Sequence, residues 1–382
     1  MLSLPFFLLL VAAVPVYWLI PRQRYRTAFL SLVSLIFIAL ADPRAALMVL
    51  ALSAYAYGMG ALIGSTHRAL FHRLGVAGIL CVLLLFKYAG LLNETLDDLS
   101  GLFGSFPSFR FNRLLLPLGI SYITLKYISY LTDIHWRVVR PGGPVEVLCY
   151  GSLFTIFSAG PIERFERLAP QLAEPGARFS EVLLESGMRR IAFGLFKKLV
   201  IADWIGYLIT PLWKEGAPGT PALPMLALLG FSIQIYLDFA GYSDIAIGTS
   251  RLFGLTIMEN FDWPYLQSDI SQFWRHWHIS LSDWIRDYLF FPLSRVSRAR
   301  AWTMVAVPLI AMGLCGLWHG PAWHFVVWGM WHGAGIAALQ VWNAYVRAHP
   351  AVRAFTLGRA YHSVAVLVTF TFVTVGWIWF RA

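Results

Sequence analysis

The 382-residue chain is poor in charge: Asp, Glu, Lys and Arg make up only 13% of it. A soluble domain carries about a quarter. Low charge joined to high apolar content excludes a disordered chain. Cysteine is scarce as well, with three residues, too few and odd in number for a disulfide scaffold. Cys81, Cys149 and Cys315 lie in apolar runs without CxxC spacing and read as small core hydrophobes. Several catalytic signatures are missing: no G-x-S-x-G elbow, no H-E-x-x-H and no P-loop occurs. His276 and His278 are two positions apart, the wrong face relation for zinc on one helix, so no metal site and no bound cofactor is expected.

What is present is apolar. Hydrophobic residues make up 58% of the chain, and mean hydropathy is +0.64. Such a chain needs lipid as its solvent. The composition therefore predicts an all-α, polytopic membrane protein. Residues 1–382 read as one membrane domain of roughly ten spans at about 20 residues each. The net charge is +10, but the positive residues sit in short gaps between apolar runs. That pattern sets membrane topology and predicts no nucleic-acid partner.

The run Ser3 to Ile20 is followed by Arg22, Arg24 and Arg26, the reverse of signal-peptide flanks, and reads as a retained span. Further runs cover about Thr27–Ala41, closed by Asp42-Pro43-Arg44, then Ala45–Gly64 and Leu74–Leu92. Positive clusters fall in every second gap. The N-terminus is therefore expected outside the cytoplasm, with Pro21–Arg26 and His67–Arg73 inside and Asn93–Asn112 outside. Arg113–Asp133 is too polar to face lipid and reads as a buried or membrane-surface helix. Leu148–Ser158 is short, broken by Ala159-Gly160-Pro161, and reads as re-entrant. Glu163–Arg190 is charged and reads as cytoplasmic, Ile191–Ile209 as a span or half-span, and Leu212–Pro224 as a loop. Clear apolar runs follow at Met225–Leu237, Val305–Leu317, Ala322–Leu339 and Val364–Trp379, with amphipathic Asp262–Arg300 among them.

Ionisable groups within membrane segments are costly and mark function. Three stretches concentrate them. In Phe273–Tyr288, read as one helix, Trp274, Trp277, Leu281, Trp284 and Tyr288 form an aromatic stripe. Arg275, His278, Ser282 and Arg286 form the neighbouring polar stripe, Ser271 is placed to cap the start, and Pro292 to stop the end. The plain alternative is an interfacial helix with its aromatics at the headgroups. The second stretch is Gly313–Pro321, where His319 sits between apolar residues at a helix break, placed to line a cavity or to rest as a satisfied core histidine. A neutral imidazole titrates near pH 7 and can serve as a general base. His276, His324 and His332 read as structural. The third is Gln234–Asp244, where Asp238 and Asp244 flank Gly241. They suit proton relay or cation binding, or anchor a broken helix through hydrogen bonds.

These stretches, with Glu259–Tyr265, Gly316–Gly320, Leu116–Tyr122, Ala159–Ile162 and Gly194–Lys198, resemble the membrane-bound O-acyltransferase (MBOAT) family. The likeness is closest to its bacterial branch that acetylates polysaccharides such as alginate. It is strong over about Leu114 to Gly333 and loose over the N-terminal spans. It implies an all-helical bundle with a tunnel and re-entrant or interfacial helices. His319 matches the family's Trp-His-Gly histidine and His278 the Trp-His-x-Ser histidine. The implied donor is acetyl-CoA or another acyl thioester on the cytoplasmic side. The implied acceptor is a polysaccharide hydroxyl on the other, reached with an extracytoplasmic acetyltransferase partner in a bacterial inner membrane. The chain stops at Ala382, where such relatives continue through further spans. Asp262 and Trp263 replace the residues commonest there.

The candidate catalytic residues are then His319 as base and His278 as an orienting group. The candidate substrate-binding residues are Trp274, Arg275, Ser282, Trp318 and Asp238. Rival readings are D-alanyl transfer to teichoic acid, acylation of a lipid or protein, and, from another class, a transporter using the same broken helices.

Overall fold

The computed structural model describes residues 4–65, 67–103, 116–173, 179–213 and 222–382. Residues 104–112 of the expected outer gap and 214–221 of the expected loop lie outside them. So do 113–115 of the expected buried helix and 174–178 of the expected cytoplasmic segment. The described residues are overwhelmingly helical, with one isolated β-bridge, Phe261 to Trp277. Among the described residues six helices are long and apolar enough to cross a membrane: Gln23–Ala41, Pro43–Ile63, Arg68–Gly101, Leu223–Leu252, Trp302–His319 and Arg359–Arg381. The contacts divide the chain into two compact units, Met1–Ala192 with Asp244–Met258, and Phe193–Ser243 with Glu259–Ala382.

In the first unit the turn at Asp42 separates two spans. The Asp42 side chain accepts from the Arg44 backbone N–H at 3.0 Å, and Pro43 opens the helix where its missing N–H costs nothing. The polar helix Ile120–Trp136 is buried in protein, as its composition requires. Lys126 is enclosed, and its Nζ donates to the Tyr150 carbonyl at 2.8 Å. The wholly buried Glu163 carboxylate accepts from the Met258 and Arg164 backbone N–H groups at 2.7 and 3.1 Å, and from Arg167 Nε at 3.1 Å. Three donors on one buried carboxylate are what such a group needs. Cys149 is buried, as expected, but Cys81 is exposed on its helix.

In the second unit Val307–His319 and Trp323–Ala348 pack as an antiparallel hairpin. The expected helix break is found: the helix ends at His319, Gly320 is extended (φ −160°), and the chain reverses there. Lipid gives helices no hydrophobic drive to associate, so close contact at small residues must hold them. A methyl on Gly316 would lie 2.0 Å from the Phe325 carbonyl oxygen, and one on Gly329 2.1 Å from that of Met312. Backbone meets backbone at both points. Gly329→Ala is expected to destabilise this unit by about 2–3 kcal/mol. A detergent thermal melt unchanged by the substitution would refute that packing.

Candidate active site

The stretch Phe273–Tyr288 is not the single helix its periodicity suggests. Ile270–His276 is capped by Asp269, not Ser271: the Asp269 carboxylate accepts from Gln272 N–H at 2.8 Å. The helix stops at Trp277, and His278 turns the chain through the left-handed region (φ 43°, ψ 54°) into Ile279–Ile285. A π-helical turn, Arg286–Phe290, and Phe291–Ser294 follow, so Pro292 opens a last turn instead of ending the helix. The aromatic stripe survives the break. Trp274, Trp277 and Trp284 are buried in protein and do not lie along a headgroup surface.

The break is stitched by an extended strap. Asp262 N–H donates to the His276 carbonyl at 3.0 Å, and Ile279 N–H to that of Asn260 at 2.9 Å. The Ser282 hydroxyl donates to the Trp277 carbonyl at 2.9 Å. His276 Nδ1 lies 2.8 Å from the Gln272 carbonyl. A non-glycine residue at positive φ stores about 1–3 kcal/mol, a cost found mostly at functional positions.

His278 is 1% exposed. Its Nδ1 lies 3.1 Å from Asn260 Oδ1, which also accepts from the Ser280 backbone N–H at 3.3 Å and the Ser280 hydroxyl at 2.8 Å. Asn260 Nδ2 donates to Ser243 Oγ at 3.2 Å. A backbone N–H can only donate, so the oxygen of Asn260 faces Ser280, and His278 Nδ1 must carry the ring proton. Nε2 is thereby the basic nitrogen. It is buried with no hydrogen-bond partner. Asn260 was not singled out from sequence. The only signal was an amide within the family-like Glu259–Tyr265 segment.

Burial, and after it the charge of nearby His319, hold His278 well below the usual imidazole pKa. The sign follows. Below about pH 6.5 the unfolded chain takes up a proton that folded His278 does not. Stability is therefore present above that pH and falls as acid is added. Melts between pH 7.5 and 5 should show this fall, and His278→Asn, which suits a left-handed position, should flatten it. An equal slope in both proteins would refute the assignment.

His319 closes its helix partly buried, ringed by Trp318, Trp328 and Phe380 with centroids at 4.9, 5.1 and 5.3 Å. Trp318 also faces His278 at 6.4 Å, so it touches both histidines. His324 is structural, its Nδ1 2.8 Å from the Trp379 carbonyl. His332 is wholly buried and packs against Trp274 and Trp328, yet hydrogen-bonds nothing through either nitrogen.

Trp274, Arg275 and Ser282 come together on a pocket of about 310 Å³, with Ser271, Asp283 and Arg286. Arg286 is paired with Asp283 and Asp287. Trp274 also contacts Trp328 at 5.7 Å, which links the pocket wall to the ring beside His319. Asp238 does not join this group. It pairs with Lys198, which also binds Asp203 at 2.7 Å. Nor does it mark a broken helix, because Ala222–Leu252 runs unbroken through Gly241.

The family model described as "MBOAT, membrane-bound O-acyltransferase family" matches residues 138–375. The chain belongs to this family. It is accordingly a multi-pass membrane acyltransferase. The MBOAT match contains His278, His319 and every pocket residue named above. The chain is 34% identical to the "Probable alginate O-acetylase AlgI" of Pseudomonas aeruginosa, over 98% of this chain and 70% of that protein. It is 34% identical to the protein of the same description from Azotobacter vinelandii, over 98% and 73%. It is 30% identical to the peptidoglycan O-acetyltransferase of Helicobacter pylori, over 72% and 55%.

Proposed function

We propose that this MBOAT protein moves an acetyl group from acetyl-CoA, bound from the cytoplasm, to hydroxyls of an alginate-like polysaccharide outside a bacterial inner membrane. The observation that carries the reading is the pair of histidines. His278 is held in one tautomer that leaves Nε2 without a proton, and Trp318 lies between its ring and that of His319. A thioester and a hydroxyl need such a base and nothing redox.

His319 removes the proton of the acceptor hydroxyl. His278 Nε2 accepts a hydrogen bond from donor or acceptor and fixes its approach. Arg275 and Ser282, with Arg286, hold the polar head of the donor in the pocket, and Trp274 and Trp318 wall the path to the histidines. Asp238 acts through its ion pair with Lys198 to fix the helix beside the donor. The N-terminus lies on the extracytoplasmic side, and a partner acetyltransferase there completes delivery to the sugar. The identity to alginate O-acetylases over nearly the whole chain supports the acceptor class.

The protein in lipid vesicles, given acetyl-CoA labelled in the acetyl group, should release CoA and retain label on added polymannuronate. Mass spectrometry of the polymer reads the product. No CoA release would defeat the enzyme reading. Release with label on another acceptor would defeat only the alginate assignment.

A further inference from the structure

Beside His319 lies a group of buried polar atoms that the chemistry above does not use. Trp274 Nε1, Trp328 Nε1 and both ring nitrogens of His332 are enclosed and have no hydrogen-bond partner. The three residues are 6%, 1% and 0% exposed. Their rings form one triangle, with centroids 5.7 Å apart for Trp274 and Trp328, 5.2 Å for Trp274 and His332, and 5.0 Å for Trp328 and His332. His319 stacks edge-on against Trp328 at 5.1 Å. A methyl added at Gly376 would stand 2.9 Å from His332 Nε2, so a glycine is needed for the backbone to pass that close to the ring.

An unpaired buried donor is costly, and several in one cluster need a common reason. The chemistry of the donors restricts what can meet them. An indole N–H only donates. A neutral imidazole supplies one more donor and one acceptor. The occupant must therefore present an oxygen acceptor, and a cation is excluded. The surrounding walls are Phe273, Phe372 and Trp377, which offer no charge to a permanent anion. A carbonyl oxygen, neutral at rest and charged only during reaction, suits such a site.

We propose that Trp328, Trp274 and His332 form the subsite that binds the carbonyl oxygen of the transferred acyl group. The proposal rests on the acetyltransferase reading above. The acceptor oxygen bonds to the carbonyl carbon while its proton passes to His319. The carbonyl π electrons move to the oxygen, where the N–H groups receive them. They return as the C–S bond breaks, and the departing thiolate takes the proton from His319. Each preorganised donor stabilises the charged oxygen more than the neutral one.

The test uses the full chain in nanodiscs with acetyl-CoA. Trp328→Phe keeps the ring and deletes the N–H. It should lower kcat by about 10²–10³-fold, the usual loss for one such donor, with KM near the parent value. Trp274→Phe is the second variant, should the first fail to fold. A structural role would not move a third reading, the infrared stretch of ¹³C-labelled acetyl-CoA bound to the slow His319→Ala protein. Hydrogen bonding should lower that band, and adding Trp328→Phe should raise it again. If the parent protein turns over acetyl-CoA while both tryptophan variants keep kcat and the band stays put, the subsite is overturned and the enzyme reading stands. If the parent protein releases no CoA at all, the reading itself has failed and the subsite falls with it.

Discussion

His319→Ala is expected to cut acetyl transfer by about 10²–10⁴-fold, the contribution of a general base. The ring sits at a chain reversal and is partly buried. Its neighbours Trp318, Trp328 and Phe380 pack on one another or on adjacent helices, so the loss should fall on rate more than on folding. His319→Gln sharpens the test, since it keeps bulk and polarity but cannot hold the proton. Both variants should reach the membrane in parent amounts. Near-normal label transfer by either one would remove His319 from the base role and leave His278 as the candidate.

Asn260→Leu should be the most damaging change that touches no substrate. It strips the acceptor from His278 Nδ1–H, Ser280 N–H and the Ser280 hydroxyl at once. Leaving these buried donors unpaired should cost about 2–5 kcal/mol in a detergent melt. It also frees the imidazole to change tautomer, so kcat should fall while KM for acetyl-CoA moves little. Asn260→Asp separates position from packing. It keeps the acceptor but adds a negative charge, which favours imidazolium and should move the acid limb of the pH–rate profile upward. An unmoved profile would show that Asn260 serves only the fold.

Hydropathy and motif order revealed the membrane class and the family, because both are sums over long stretches that tolerate local error. The apolar run at 225–237 understated its helix, which reaches Leu252 because Asp238 and Asp244 are neutralised by Lys198 and Arg190 without leaving it. The stripe over 273–288 correctly marked burial. It could not show the left-handed turn at His278, since no glycine announces it and both half-helices keep similar faces inward. Asn260 was invisible for another reason. Its value lies in a contact 18 residues away that exists only once the strap has formed. His332 looked like packing because a residue's missing partners cannot be read from its neighbours in the chain.

The glycine contact between Val307–His319 and Trp323–Ala348 carries an engineering consequence. Residues 319 and 328 ride on two backbones locked at touching distance, so they move as one piece. The pocket side chains on the stretch 271–291 belong to separate short helices. Changing Arg275, Ser282 or Arg286 should therefore leave the spacing of residues 319 and 328 as it is.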